Sequence, residues 1–558
     1  MGTMSCIRLD LFYLILLGKK GTYTLAKEAQ AIYLNQFNIA EDKVLIHPQD
    51  FDEEQQRTTA SKLYGEVVMG VPVGSHLFVK NHIVTSILPK MRRDFQKTEE
   101  ACREDPQLHL LLLKMVLTNK TSHLLRGLTP CQAAPVISEF ERLQRIAICS
   151  IAGVHEISDL SFDLARTTNG LGLSCTADIC DAAFVSSMIA SREVVEEAVP
   201  GIFGAMDDGN LPLSMREFHE AVSRLHDDDS SFTLDSLLAT PASHYKHLQA
   251  KLSAPRKRRK EAEVEVRVMA AGQVEAAIWT SGNTVEARAW FDAIPKCEAL
   301  TMRPINFQTA VRNRLLISHP CITEGTPCPC TFGAFTDPLG IHLQKCGLQS
   351  GLSDLTHDQL KLTLNEFSRA MGLCTRMEPK DLLRAVDPND RRKPADLAIL
   401  EAGKPLQVRD VRVTNAVTKA LERGTVLSSV AGSAARKSER EKHGKYDAAC
   451  TASGYDFKAF VFEVQGRFGE EFSKWFYKLI HKRSQESGAP PSALATYWTR
   501  RIAVTLQNGV TNEIVTRAHK LAMGVSVTEA HGDESGFSDV VLNQRDVYIR
   551  GLGIQPDG

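Results

Sequence analysis

The chain has 558 residues, 43% of them apolar and 24% charged, with a formal net charge of −1. This length suggests roughly three to four domains with cores of ordinary size. The near-zero charge excludes a global electrostatic pull toward nucleic acid, so any such binding must come from local basic patches.

In chain order, the first apolar run is "LDLFYLILL" (residues 9–17). It is about half of the roughly 20 residues that span a bilayer, and Asp10 interrupts it, so it reads as a strand or the start of a core helix. The flanking charges make a poor signal peptide. From residue 95 to about 248, runs such as "LHLLLLKMVLTNKTSHLLRGL" and "VISEFERLQRIAICSIAG" space apolar residues by three and four, which predicts helices. "SAPRKRRKEAEVEVRV" then breaks the pattern with Pro255, the basic run Arg256, Lys257, Arg258, Arg259 and Lys260, and alternating charge. It reads as a linker, whose basic run suits a nuclear-import signal, a phosphate-contacting arm or a solvated face. "INFQTAVRNRLLISHP" predicts a helix leading into a Cys/His cluster. From Leu355 onward helix, hairpin, helix, strand and helix follow, which is α/β character.

The thirteen cysteines are odd in number and scattered, unlike the paired framework of a small secreted domain, and imply a reducing compartment. In "CPCTFGAFTDPLGIHLQKC", Cys328, Cys330, His342 and Cys346 supply three thiolates and one imidazole, the set for a closed tetrahedral structural zinc. "DPLG" makes the turn between the ligand pairs. The Cys-x-Cys spacing is tight, which leaves Cys321 as an alternative to one of its members. The competing reading is ordinary buried thiols and a core histidine.

"RRKPADLAILEAGKPLQVRDVRV" (residues 391–413) predicts two apolar strands joined at a turn centred on Gly403. Positions summing to 806 then face one another, which pairs Asp396 with Asp410. Two like charges so placed persist most readily where a divalent cation offsets their repulsion, and oxygen ligands favour magnesium or manganese. Such a metal activates water and stabilises the charge developing on a phosphodiester. Glu378, expected on the preceding helix, is the third acidic candidate. Lys442 and Lys445, a turn apart on the helix after the hairpin, are candidates to orient water or neutralise the leaving oxyanion. Arg412 shares the face of Asp410 and is placed to contact a phosphate, as are Arg391, Arg392 and Lys393. Residues 376–445 hold sixteen Lys/Arg against ten Asp/Glu, an excess of six that suits a phosphate backbone. The alternative makes Asp396 a strand-start cap and Asp410 an edge-strand charge.

The ordered set "CPC…H…C", "THDQL", "EP", "RKPADLAIL…DVRV", "EREKHGKY" and "FVFEVQGRFG" resembles the C-terminal end of non-LTR retrotransposon polyproteins that carry a restriction-enzyme-like endonuclease. "FNIAEDKVLIHP" and "VVMGVPVGS" are similar to the last palm strands and the start of the thumb of a reverse transcriptase, and "NGLGLSCTADICDAAFVSSMIAS" to the helical region beyond. The resemblance implies a zinc knuckle followed by a PD-(D/E)XK nuclease. Asp396 then fills the "PD" position, with Ala395 inserted after Pro394, and Asp410 fills the second acidic position. Arg412 stands where the motif has lysine, so the lysine role passes to Lys442 or Lys445. His357 and Asp358 match a His-Asp pair of the family, and Glu463 falls in a shared stretch read as structural. The paired aspartates of "AMDDGN" are not those of a polymerase, so no DNA synthesis is expected.

The implied fold is α+β overall: a mostly α-helical N-terminal half, a small zinc knuckle and an α/β restriction-endonuclease-like C-terminal domain. The expected divisions are a palm/thumb remnant (1–94), a helical region (95–250), a basic linker (251–300), a helix plus zinc knuckle (301–350), the nuclease domain (351–485) and a C-terminal extension (486–558). The implied function is a retrotransposon-derived endonuclease that nicks DNA with magnesium or manganese, with structural zinc, DNA and element RNA as partners, no membrane and a nuclear location. The rival function is a decayed nucleic-acid-binding remnant.

Overall fold

The computed structural model describes residues 65–205, 211–330, 334–344, 346–348, 351–380, 382–384, 390–401, 403–417 and 430–523. The apolar run at 9–17, "FNIAEDKVLIHP", residues 206–210 of "AMDDGN" and everything past 523 lie outside them. The described residues form a mixed α+β fold that is mostly helical, with a two-stranded hairpin and one four-stranded sheet. None of their helices is long and apolar enough to cross a membrane. They divide into two compact units.

The first unit takes in residues 65–101, Leu112–Ala147 and Ser174–Glu263. It opens with strands β1 (Gly65–Val68) and β2 (Val71–Gly74), the hairpin made by "VVMGVPVGS". Met69 and Gly70 both take positive φ, 52° and 85°, which matches the right-handed twist of a two-residue hairpin. Its helices include α1 (Leu88–Ala101), most of α2 (Pro130–Ala152), α3 (Thr176–Ala198), α4 (Leu213–Asp228) and most of α5 (Tyr245–Ala271). Phe184, Met188 and Ile189 of α3 pack with Met215, Phe218 and Val222 of α4 and with Leu248 and Leu252 of α5. Phe184 and Met188, Met215, Phe218 and Val222, and Leu248 and Leu252 follow three- and four-residue spacings, as an apolar stripe requires.

The basic linker expected at 251–300 is corrected here. Pro255 and the whole run Arg256–Lys260 lie inside α5. A proline inside a helix costs about 3 kcal/mol, and ion pairs to neighbouring helices hold the turn that follows it. Arg256 is inserted between two carboxylates, 2.9 Å from Asp181 and 2.6 Å from Asp228, and Arg259 reaches Asp228 at 2.6 Å. The Asp228 side chain is only 2% exposed, so Arg256 and Arg259 neutralise buried charge. Lys260 pairs with Glu263 at the surface. Lys257 and Arg258 remain exposed.

The second unit takes in Cys102–Leu111, Ile148–Leu173 and residues 264–523. Helix α6 (Pro304–Arg314) precedes the Cys/His segment, and α7 (Gly351–Ala370) follows it. Then come β3 (Cys374–Met377), β4 (Leu397–Leu400), β5 (Gln407–Thr414), α8 (Ser433–Ala452), β6 (Asp456–Glu463), α9 (Glu470–Ser487) and α10 (Pro491–Ala522). The sheet order is β3-β4-β5-β6. The first three strands are antiparallel, and β6 lies parallel to β5 because α8 carries the chain back.

The alternation of side chains splits the sheet between two cores. Leu397, Ile399, Val411, Phe460 and Phe462 face α7, α9 and α10, where Phe367 stacks on Phe476 with centroids 4.8 Å apart. Val408, Phe457, Ala459 and Val461 face the other way, against Ala435, Tyr446 and Cys450 of α8. Trp498, Ile502, Leu506 and Val510 of α10 belong to the first core. The boundary expected at 485/486 therefore does not divide the packing, and residues 491–522 are a wall of the same unit.

Candidate functional site

The hairpin register is the one that the turn at Gly403 predicts. Leu397 faces Arg409, Ala398 faces Val408 and Ile399 faces Gln407. Gly403 takes φ +75°, open to glycine at no steric cost. Asp396 precedes β4 by one residue, and its backbone N–H donates to Arg409 O at 2.9 Å, which carries the ladder toward Asp410.

The two aspartates have different surroundings. Asp396 Oδ2 accepts the Val411 N–H at 2.7 Å and lies 3.2 Å from His357 Nε2. Burial pushes its carboxyl up, but His357 and the Val411 amide outweigh burial and hold it below the ordinary aspartate value. Asp410 is 5% exposed, and Lys442 Nζ lies 2.6 Å from its Oδ2. Here burial wins over Lys442, the Asp396 charge adds to it, and the Asp410 carboxyl is raised. One carboxyl is thus held down and its neighbour pushed up, the separation that lets two acids take different roles.

Helix α7 supplies groups behind Asp396. His357 Nε2 also lies 3.2 Å from Val411 O, and its Nδ1 lies 3.2 Å from Asp358. The hydrogen bond with Asp396 raises the imidazole pKa. Lys361, with a side chain only 4% exposed, donates to Asp358 at 2.8 Å and pairs with Glu378.

Two expectations are corrected at this site. Glu378 is not on a helix: it follows β3, takes φ +43°, and its backbone N–H donates to Asp396 O at 2.9 Å, while its side chain is 61% exposed and paired with Lys361. Lys445 does not reach the pair either, because its ammonium lies over the Tyr446 ring at 4.8 Å. Arg412 is held by Glu441 at 3.0 Å. Of the lysine candidates, Lys442 is the one brought to the aspartates. Lys361 was missed, although "THDQLK" places His357, Asp358 and Lys361 on one helical face at three- and four-residue spacing. Arg391 and Lys393 are exposed, whereas Arg392 is tied to Asp390 at 2.6 Å and to the Lys445 carbonyl at 2.7 Å.

The Cys/His segment forms a second centre. The ligand atoms of Cys328, Cys330, His342 and Cys346 all lie within 4.8 Å of one another. Cys328 and Cys346 Sγ are 3.5 Å apart, and Cys330 Sγ is 3.6 Å from His342 Nε2. Zinc bond lengths of about 2.3 Å to sulfur and 2.0–2.1 Å to nitrogen give tetrahedral edges of roughly 3.5–3.8 Å. The cluster therefore suits a structural zinc. Cys321 is exposed and outside it, so the alternative ligand is dropped.

Local folding explains the closeness of the four ligands. Pro327 bridges Phe335, and Asp337 of the "DPLG" turn caps the next segment by accepting the N–H groups of Ile341 and His342 at 2.8 and 2.7 Å. Gly340 supplies φ +68° at that turn. Arg517 of α10, fully buried, donates to the carbonyls of Leu343 and Leu348 and so anchors the segment.

No protein-family model matches the chain, and no curated protein matches it significantly.

Proposed function

We propose that the second unit is a metal-dependent DNA endonuclease of the restriction-enzyme-like kind, in a chain derived from a non-LTR retrotransposon polyprotein. One observation carries this reading: two carboxylates in cross-strand register on a buried hairpin, with a helix-borne lysine 2.6 Å from the second. The helix, antiparallel strands, helix and parallel strand around them agree with the α/β domain that the sequence resemblance implies.

The donors on the hairpin are oxygens, which suit magnesium or manganese, and Asp396 and Asp410 are the residues that would hold the ion. Such an ion supplies positive charge against both carboxylates and against the charge developing on a phosphodiester. Asp358 orients His357, which steadies Asp396 in turn. Lys442 keeps an ammonium at Asp410, where it offsets negative charge on the attacking or leaving oxygen. Exposed Arg391 and Lys393 lie just ahead of Asp396 in sequence and suit flanking phosphates. DNA is the proposed substrate, with element RNA as a second partner and the nucleus as the location. The Cys/His cluster acts as a staple.

The second reading, a non-catalytic nucleic-acid-binding remnant, has its own observation. Lys442 and His357 already pair with the two aspartates, and the Glu378 side chain is engaged by Lys361. Nicking of supercoiled DNA with and without magnesium, by wild type and Asp410→Asn, separates the two. Activity in the first protein alone supports the enzyme, and equal inactivity supports the remnant.

A further inference from the structure

One cavity of the second unit lies apart from the aspartate pair. It has a volume of about 800 Å³ and lies beside the edge strand β6, between α8 and α9. Arg409, which reaches its floor, and Asp410 are consecutive on β5, so their side chains leave opposite faces of the sheet. The cavity is thus separate from the candidate metal site.

Its chemistry is that of an anion site with an apolar wall. Eight Lys/Arg and five Asp/Glu line it, a surplus of three positive charges. Most of the carboxylates are already engaged: Glu401 by Lys404 and Lys482, Asp456 by Arg409, Glu470 by Lys474, and Glu471 by Lys458 and His443. Among the described residues Arg436, Arg440 and Lys478 have no carboxylate partner, and all three are exposed at the cavity. Arg409 is 2% exposed, bonded to Gln407 and Asp456, and its Nε has no hydrogen-bond partner. A buried guanidinium with an unmet N–H favours negative charge nearby. Trp475 and Leu479 line the same space with a half-buried indole and an aliphatic side chain.

A ligand matching both features carries negative charge at one end and a flat apolar body at the other. The volume falls within the range of about 300–1,000 Å³ typical of small-ligand sites. We propose that this cavity binds a nucleotide unit, its phosphate at Arg436, Arg440 and Lys478 above Arg409, and its base against Trp475 and Leu479. The unit comes either from a free nucleotide or from a nucleic-acid strand, since both present the same phosphate and base.

The test is calorimetric titration of full-length Asp410→Asn protein, which removes nicking as a complication and leaves this cavity intact. The probes are adenosine 5′-monophosphate, adenosine, inorganic phosphate and a 5′-phosphorylated four-residue oligothymidylate. The nucleotide should bind at least tenfold tighter than adenosine or phosphate. Arg440→Glu with Lys478→Glu, both exposed, should weaken it at least tenfold without changing the melting temperature. Binding of the oligonucleotide tenfold tighter than the mononucleotide identifies a strand as the source, and equal or weaker binding identifies the free nucleotide. Adenosine or phosphate binding as well as the nucleotide, no binding of any probe, or full binding by the double variant overturns the proposal. None of these failures bears on nicking at Asp410, which the wild-type protein reports separately.

Discussion

Lys442 Nζ lies 2.6 Å from Oδ2 of Asp410, an ion pair that fastens helix α8 to β5, the second strand of the hairpin. The lysine is 20% exposed, whereas Asp410 is almost wholly buried. Burial raises the Asp410 carboxyl in spite of this partner, so the negative charge is not fully compensated where it sits.

Removing that charge should therefore stabilise the metal-free protein. Asp410→Asn is expected to gain about 1 kcal/mol in denaturant unfolding at pH 7 in the presence of chelator, the ordinary scale of a single-residue effect, because freed Lys442 can turn to solvent. Added magnesium should stabilise wild type and leave Asp410→Asn unchanged. A loss of stability in chelator would mean that the ion pair outweighs the burial.

His357 gives a pH dependence whose sign is fixed by its partners. Its folded pKa is raised above 6.5, chiefly by the hydrogen bond with Asp396. The stability it contributes is thus fully present below the unfolded value near 6.5 and is lost as pH rises through the higher folded value. Imidazole NMR should place the His357 titration above 6.5 in wild type and lower in Asp396→Asn. An unchanged titration would show that Asp396 does not govern the ring.

The Cys/His cluster should hold about one zinc per chain by metal analysis. Cys346→Ser should lose the metal and melt the second unit at lower temperature, whereas Cys321→Ser should do neither. Full zinc occupancy in Cys346→Ser would contradict the assigned ligands.

The basic run should separate into structural and surface residues. Arg256→Ala strips one partner each from Asp181 and Asp228 and should cost about 2–3 kcal/mol, somewhat below the full penalty for a buried charge left alone because Arg224 and Arg259 remain. Lys257→Ala and Arg258→Ala should change stability by less than about 0.5 kcal/mol. Chemical denaturation of the three variants checks this, and equal stability would contradict it.

How much was legible in the sequence depended on whether the deciding contact was local. The hairpin register followed from one glycine turn and the two-residue period of a strand, and the Cys/His ligands from their spacing. The state of "SAPRKRRKEAEVEVRV" did not follow from local pattern, because Asp181 and Asp228, far upstream, hold its arginines in a helix. β3 is four residues with alternating exposure, too short and too polar to show as a strand, so Glu378 was assigned to the wrong element. Lys442 and Lys445 were equivalent by spacing, and only the packing of α8 over the sheet distinguishes them.

The most direct test of the proposed function is nicking of supercoiled DNA by the purified protein, with magnesium or manganese and with chelator, alongside Asp410→Asn, Lys442→Ala and Lys445→Ala. The account predicts metal-dependent nicking by wild type, loss of at least a hundredfold in rate with Asp410→Asn, about 2.7 kcal/mol in activation free energy, a large loss with Lys442→Ala and near-wild-type activity with Lys445→Ala. Wild type as inactive as Asp410→Asn with every metal would contradict it.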